Sequence, residues 1–395
     1  MTSERPVHFS ARTGWDVTET ALARALRARR AAGLPLIDLT ASNPTQCGFR
    51  YDGSGILAAL NDPRAMTYDP DPRGMRAARQ AVCRYYAAHS AAIAPDCVFL
   101  TTSTSEAYSW VFRLLCDPGD EVLIAQPSYP LFDFLAQLED VRLRPYPLFY
   151  DHGWQIDLAG LRERITDGTK AIAVVHPNNP TGHWTRERRD LEQLCAEHGM
   201  ALIVDEVFLD YPLNEAPGPS FATGEHPALT FVLSGISKIA ALPQMKAAWI
   251  AAAGPERELR PALERLEVIA DTFLSMNAPV QCALETWVGG AGAMQEQIRQ
   301  RTHSNLIVLD KLLAGCPAVT RLQAEAGWYA VLRVPALGRD EDLAVRLVEE
   351  HGVSVHPGYF FGFSGEGWLV VSLLTPWVDF RIGIERICGL FPESR

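Results

Sequence analysis

Residues 170–206 read KAIAVVHPNNPTGHWTRERRDLEQLCAEHGMALIVDE. Two short apolar runs, 171–175 and 201–204, enclose a segment with helical periodicity, 187–198, that stops at Gly199. A strand, a crossover helix and a second strand predict parallel neighbours in a sheet covered by helices. The alternation continues outward over residues 95–254. Further apolar runs lie at 98–100, 121–125, 230–233 and 248–252. Residues 105–116 form another predicted crossover helix, with Trp110, Val111, Leu114 and Leu115 toward one side.

Beyond Glu285 the texture changes. A long helical stretch carrying Met294, Ile298, Leu306, Leu309 and Leu313 precedes a predicted strand pair at 327–334 and 368–373. We therefore expect an α/β fold with a mostly parallel central sheet and a smaller α+β domain. The large domain is expected at 46–285, and residues 1–45 and 286–395 form the small one with an N-terminal arm. In that arm residues 21–32 read as an amphipathic helix, with Thr18 as its N-cap and Gly33 and Pro35 as its stop.

Of 395 residues, 48% are hydrophobic and 21% charged, enough apolar material for a large core. The formal charge of -11 argues against a nucleic-acid partner, since binders of the phosphate backbone carry excess Lys and Arg. Residues 1–17 lack the apolar core of a signal peptide, and no apolar run approaches a membrane span. The eight cysteines include no C-x-x-C pair, which suits reduced thiols in a cytoplasmic protein without a metal site.

In open α/β sheets ligands sit at the carboxyl ends of the strands, so the residues after each run are the candidates. After Leu100 comes the hydroxyl-rich stretch Thr101-Thr102-Ser103-Thr104-Ser105, leading into a helix whose free N–H groups favour an anion. After Ala125, Tyr129 places an aromatic ring, and after Val175, Asn179 is held in a turn rich in Pro and Gly. After Val204 come the carboxylates Asp205 and Glu206, and after Leu233 comes Ser234-Gly235-Ile236-Ser237-Lys238. Alone, each has an ordinary structural explanation: an N-cap, a packed ring, a turn, an Asp205–Lys238 ion pair. Together they match the needs of pyridoxal phosphate, whose phosphate, ring, pyridine nitrogen and aldehyde ask for an anion site, a stacking partner, a carboxylate and a lysine.

In these residues the chain resembles the class I/II aminotransferases of pyridoxal-phosphate fold type I, whose motif order it follows. The signals are Tyr68 ahead of Pro72-Arg73-Gly74, the turn at 103–107, Pro127-Ser128-Tyr129, Asn179-Pro180-Thr181-Gly182, Asp205-Glu206 and Ser237-Lys238. The resemblance implies the three-layer transferase fold, with Lys238 as the Schiff-base lysine and Asp205 as partner of the pyridine nitrogen. It implies that Tyr129 stacks on the ring, that Asn179 bonds the phenolic oxygen, that Ser103, Thr104 and Ser105 bind the phosphate with Lys246 keeping a charge on it, and that Ser237 belongs to the cofactor-binding set. Tyr68 would reach the phosphate of a neighbouring subunit, which implies a homodimer. The reaction implied is transfer of an amino group between a small amino donor and a keto acceptor.

Three positions depart from the family's pattern. Phe208 stands where a tyrosine is usual, Lys246 where an arginine is usual, and Val370 where an arginine clamps the substrate's α-carboxylate. Val370 leaves the substrate open, with Lys246 or Arg12 as other cations for a carboxylate. The retained motifs are also compatible with a lyase, decarboxylase or racemase, or with a ligand-binding homologue that has lost turnover.

Overall fold

The computed structural model describes residues 7–213 and 218–391. Along the chain the central sheet is built from β1 (Val98–Thr101), β2 (Glu121–Gln126), β3 (Arg142–Tyr150), β4 (Trp154–Ile156), β5 (Thr169–Val175), β6 (Ala201–Asp205), β7 (Thr230–Gly235) and β8 (Ala248–Ala253). Their order across the sheet is β1-β8-β7-β6-β5-β2-β3-β4. The five strands from β7 to β3 are mutually parallel. β8 runs against both its neighbours and β4 against β3.

Strand alternation divides the core. On β6, Leu202 and Val204 face one layer and Ala201 and Ile203 the other. The first layer holds Val82 and Tyr86 of helix Arg76–Ala88, Leu191 and Leu194 of helix Arg188–His198, and Leu284 of helix Ala278–Gly289. The second holds Tyr108 and Val111 of helix Thr104–Leu115 and Leu266 of helix Glu256–Phe273. Both faces of a largely parallel sheet are thus covered, which is why its strands read as continuous apolar runs. Helix Arg188–His198 ends where expected, at Gly199 with φ 65°.

A second sheet of four antiparallel strands is formed by β9 (Thr320–Arg321), β10 (Tyr329–Arg333), β11 (His356–Pro357) and β12 (Trp368–Ser372), in the order β9-β10-β12-β11. The long helix Gly292–Leu313 and the last helix Trp377–Gly389 pack on its Leu332, Leu369 and Val371 side. The expected N-terminal helix is Ala21–Ala31, but its N-cap is Thr20, whose hydroxyl accepts from Ala23 N; the expected cap, Thr18, instead donates its N–H to Asp16. Arg29 of that helix donates to the carbonyls of Val348 and Glu349, tying it to the second sheet's side.

Apolar runs do not flag β3 and β4. β3 contains Pro145 and Pro147, residues that lack a ladder donor and usually argue against a strand. Near the sheet's margin, with only short β4 outside it, the strand tolerates them.

Backbone hydrogen bonds seat the second sheet over the carboxyl ends of the first: Leu213 N donates to Glu325 O, Gly327 N to Tyr211 O and Ser128 N to Phe361 O, at 2.8–3.0 Å. The ligand-binding edge of the central sheet is thereby walled on its open side.

Candidate active site

A cavity of about 270 Å³ opens at this junction. Three of its walls come from residues singled out by sequence: Ser103, Thr104 and Ser105 on one side, Tyr129 and Asn179 on another, and Asp205 with Ser237, Lys238 and Lys246 on a third. Tyr68 is not among them. It is 79% exposed and lines a different, larger cavity of about 400 Å³ beside Leu100 and Trp110.

The anion-binding wall is the start of helix Thr104–Leu115. Ser103 is its N-cap, the hydroxyl accepting from Glu106 N at 3.1 Å, while Glu106 reaches back to Thr102 N at 2.6 Å and Thr102 Oγ1 at 2.9 Å. This exchange pins the first turn, so the remaining N–H groups project in a set direction. Lys246 enters from the opposite side with φ 53°, a left-handed conformation that non-glycine residues adopt at some cost.

Asn179 is held by the turn around it. Asn178 Nδ2 donates to Pro127 O at 3.2 Å and to Thr181 Oγ1 at 2.8 Å, joining this turn to the one that carries Tyr129. Gly182 has φ 69°, and a Cβ there would meet Ala326 O at 2.4 Å. Only glycine fits that close approach. Asn179 itself is 7% exposed and its Oδ1 has no partner. A buried amide oxygen left unpaired is costly, so the cavity is shaped for a polar group that would meet it.

Asp205 and Glu206 end the same strand and have different surroundings. Asp205 continues the face of Ala201 and Ile203, accepts from Val207 N at 3.0 Å and lines the cavity. Burial pushes its carboxyl up to about 6, against the opposing pull of Val207 N–H, the Tyr108 hydroxyl and Lys238. Glu206 is fully buried away from the cavity, accepting from Ser220 Oγ at 2.7 Å and Phe221 N at 2.5 Å, with its carboxyl pushed up to about 7 by burial. His176 and His183 are also buried behind this edge. His176 accepts from Thr185 N through Nδ1, and His183 pairs with Thr181 Oγ1.

Lys238 lies in the single helical turn Ile236–Ile239 that follows β7. Burial lowers its amine to about 8, and the nearby Asp205 charge opposes that shift. The alternative of an Asp205–Lys238 ion pair is not met: among the described residues the lysine in an ion pair is Lys170. Lys238 Nζ instead stands over the rings of Trp328 and Phe208, 5.1 and 5.8 Å from their centroids.

Several lining residues went unassigned in the sequence. Ser42 and Tyr329 complete the cavity, with the Tyr329 phenol raised to about 12 mainly by burial. Tyr329 lay in a predicted strand, yet nothing in its pattern showed that it would line a cavity at the end of another sheet. Val370 does not line the cavity. It is fully buried on β12 between Val331 and His356. Arg12 is engaged elsewhere, donating to Leu138 O and lying 3.6 Å from Asp140. His356 and Phe360 stack at 5.0 Å, and Phe360 and Phe361 line a neighbouring cavity that shares Tyr129.

Comparison with known proteins supplies the context for this geometry. An alanine aminotransferase of Mycobacterium tuberculosis is 28% identical over 384 residues, covering 92% of this chain and 87% of the relative. An arginine–pyruvate transaminase of Pseudomonas aeruginosa is also 28% identical, covering 94% and 93%. In fold, the chain is similar to the solved alanine aminotransferase from Pyrococcus furiosus, with a TM-score of 0.88 at 24% identity over 98% of this chain and 100% of that one. Residues 51–387 match the family described as aminotransferase class I and II, and the chain therefore belongs to that family of enzymes.

Proposed function

We propose that the cavity around Lys238 binds pyridoxal 5′-phosphate and transfers an amino group between an amino donor and a keto acceptor. One observation carries this reading: nine residues singled out for that cofactor, scattered between Ser103 and Lys246, line one cavity. The residue set fits the group, with a helix start and Lys246 for phosphate, the Asn179 amide in the cavity wall, a buried carboxylate and a lysine of lowered basicity.

Pyridoxal phosphate, when bound, supplies an aldehyde that links to an amine and a protonated ring that accepts electron density from the α carbon. Ser103, Thr104, Ser105 and Lys246 would hold the phosphate, with Ser237 beside them, and Tyr129 would stack on the ring. Asp205 would keep the ring nitrogen protonated, a positive charge there favouring the ionised form of its carboxyl. Asn179 donates to the phenolic oxygen, and Phe208 leaves that oxygen without a second donor. Lys238 Nζ would take the proton from the substrate's α carbon and return it on the cofactor side; an amine near neutrality in its basicity suits both halves of that transfer.

Because Val370 is core, a substrate carboxylate has no cation there. The lysines that line the cavity, Lys238 and Lys246, are both committed to the cofactor. Pyruvate, named in the P. aeruginosa relative, is the acceptor to test first. A second copy is part of the reading. Tyr68 and Met66, 79% and 90% exposed, line the larger cavity and suit a face that a neighbouring subunit covers, from which Tyr68 would reach the partner's phosphate. No helix among the described residues is long and apolar enough to cross a membrane, and the free cysteines agree with a cytoplasmic setting.

The test is borohydride reduction of the protein loaded with pyridoxal phosphate, followed by peptide mass spectrometry and a screen of amino donors with pyruvate. Pyridoxyl on Lys238, its loss in Lys238→Ala, and alanine formation are expected. Attachment at another lysine, or no amino transfer from any donor, overturns the reading.

A further inference from the structure

Trp328 has no part in the chemistry above, yet its ring lies nearer Lys238 Nζ than that of Phe208, 5.1 against 5.8 Å to the centroids. It is fully buried and its backbone is held on both sides, Gly327 N donating to Tyr211 O at 2.8 Å and Leu373 N to Trp328 O at 2.7 Å. The indole meets Phe208 edge-on, centroids 5.2 Å apart at 76°, and Tyr211 at 5.0 Å and 67°. Lys238 Nζ stands over the indole, and the Tyr211 hydroxyl donates to the Lys238 carbonyl. One aromatic group thus grips the lysine at both ends, backbone by Tyr211 and amine by Trp328 with Phe208.

The indole N–H is buried without a partner. That costs stability, and a phenylalanine would fill much of the space without it. What the indole adds is a broad, electron-rich face for an amine.

We propose that Trp328 is a positioning residue for Lys238, its indole face holding the freed amine at the edge of the cavity and excluding water from it between proton transfers. The inference rests on the proposed function of Lys238. The other titratable groups that line the cavity are Asp205, Lys246, Tyr129 and Tyr329. Among the described residues no acid is in ion-pair contact with the amine, which is set by burial, the opposing charge of Asp205 and the two ring faces. These act in opposite senses: a ring face favours the ammonium, whereas excluded water disfavours it. The amine is lowered overall, with burial as the leading cause ahead of the opposing Asp205 charge, and the indole supplies part of that burial. Removing the indole should therefore raise the amine toward its ordinary value of 10.5.

Trp328→Leu and Trp328→Phe test this with two readouts that need no substrate. The pH dependence of Lys238 labelling by fluorodinitrobenzene in cofactor-free protein gives the amine's titration midpoint. The rate at which added pyridoxal phosphate becomes borohydride-trappable on Lys238 at pH 8 reports its availability. Trp328→Leu should raise the midpoint by about 0.7 to 1.3 pH units and so slow capture about three- to tenfold. Trp328→Phe, keeping a ring, should stay within twofold of wild type in capture. Wild-type values in the leucine variant, or equal impairment in both, overturn the proposal. If Trp328→Leu does not fold, Phe208→Leu replaces it and should raise the midpoint by a smaller amount; no movement there counts as refutation. Wild-type protein that never traps pyridoxyl on Lys238 refutes the functional reading instead, so the two failures are distinguishable.

Discussion

Replacing Glu206 by glutamine should make stability less sensitive to rising pH, and the structure sets the size of the effect. The carboxyl is fully buried, and its two donors, Ser220 Oγ and Phe221 N, do not offset burial, so its value rises from 4.5 to about 7. A folded-state value above the unfolded one means that the native protein holds a proton there which the unfolded chain releases. The contribution of this group is therefore greatest below pH 4.5 and is lost as pH rises through 7. At roughly 1.4 kcal/mol per unit, the wild type should lose about 2 to 3 kcal/mol relative to Glu206→Gln between about pH 5 and pH 8. A pH-independent offset opposes this. The glutamine Nε2 must donate to Ser220 Oγ, which already accepts from Ala222 N at 3.0 Å, at a cost of about 1 kcal/mol. Glu206→Gln should thus be slightly less stable than wild type near pH 5 and more stable near pH 8. Urea unfolding of both proteins in matched buffers checks this, because other titrating groups largely cancel in the difference. A difference that stays flat with pH, or that favours the wild type increasingly as pH rises, would refute the assignment of a raised carboxyl at Glu206.

Three further outcomes follow from the site. Asp205→Asn should weaken pyridoxal-phosphate binding about 10- to 100-fold, the worth of one hydrogen bond to a charged group, as measured by equilibrium dialysis. Ser103→Ala removes the hydroxyl that accepts from Glu106 N and should cost about 1 kcal/mol of stability as well as phosphate affinity, seen as lower unfolding midpoints with and without cofactor. Gly182→Ala forces a Cβ against Ala326 O and should cost about 2 kcal/mol or more, with Asn179 displaced and cofactor binding weakened; a wild-type melting curve would show that the turn yields more readily than its φ and contacts imply.

Much of the architecture was legible because it is local. The alternation of apolar runs and periodic helices around residues 170–206 marked the parallel strands, and the polar residues after each run lie at carboxyl ends, where a parallel sheet gathers them. Lys238, Asp205, Asn179 and the Ser103 turn could be named for that reason. β3 escaped because its prolines contradict strand propensity, and a position near the sheet's margin overrode that preference. Thr20 displaced Thr18 as a cap because one residue's shift in helix start is beyond what side-chain pattern resolves.

Other assignments needed the tertiary structure. Asp205 and Glu206 are adjacent acids, and only the packing of Ser220 and Phe221 on one side and the cavity on the other separates their roles. Trp328, Tyr329 and Ser42 belong to segments far from Lys238 in sequence, and periodicity reports which face of a strand is apolar without saying which surface will meet it. The sequence by itself determined the elements and the chemistry carried at their ends, because both depend on short-range pattern. The docking of the second sheet decided which groups surround Lys238, because that enclosure is made of long-range contacts that no local pattern encodes.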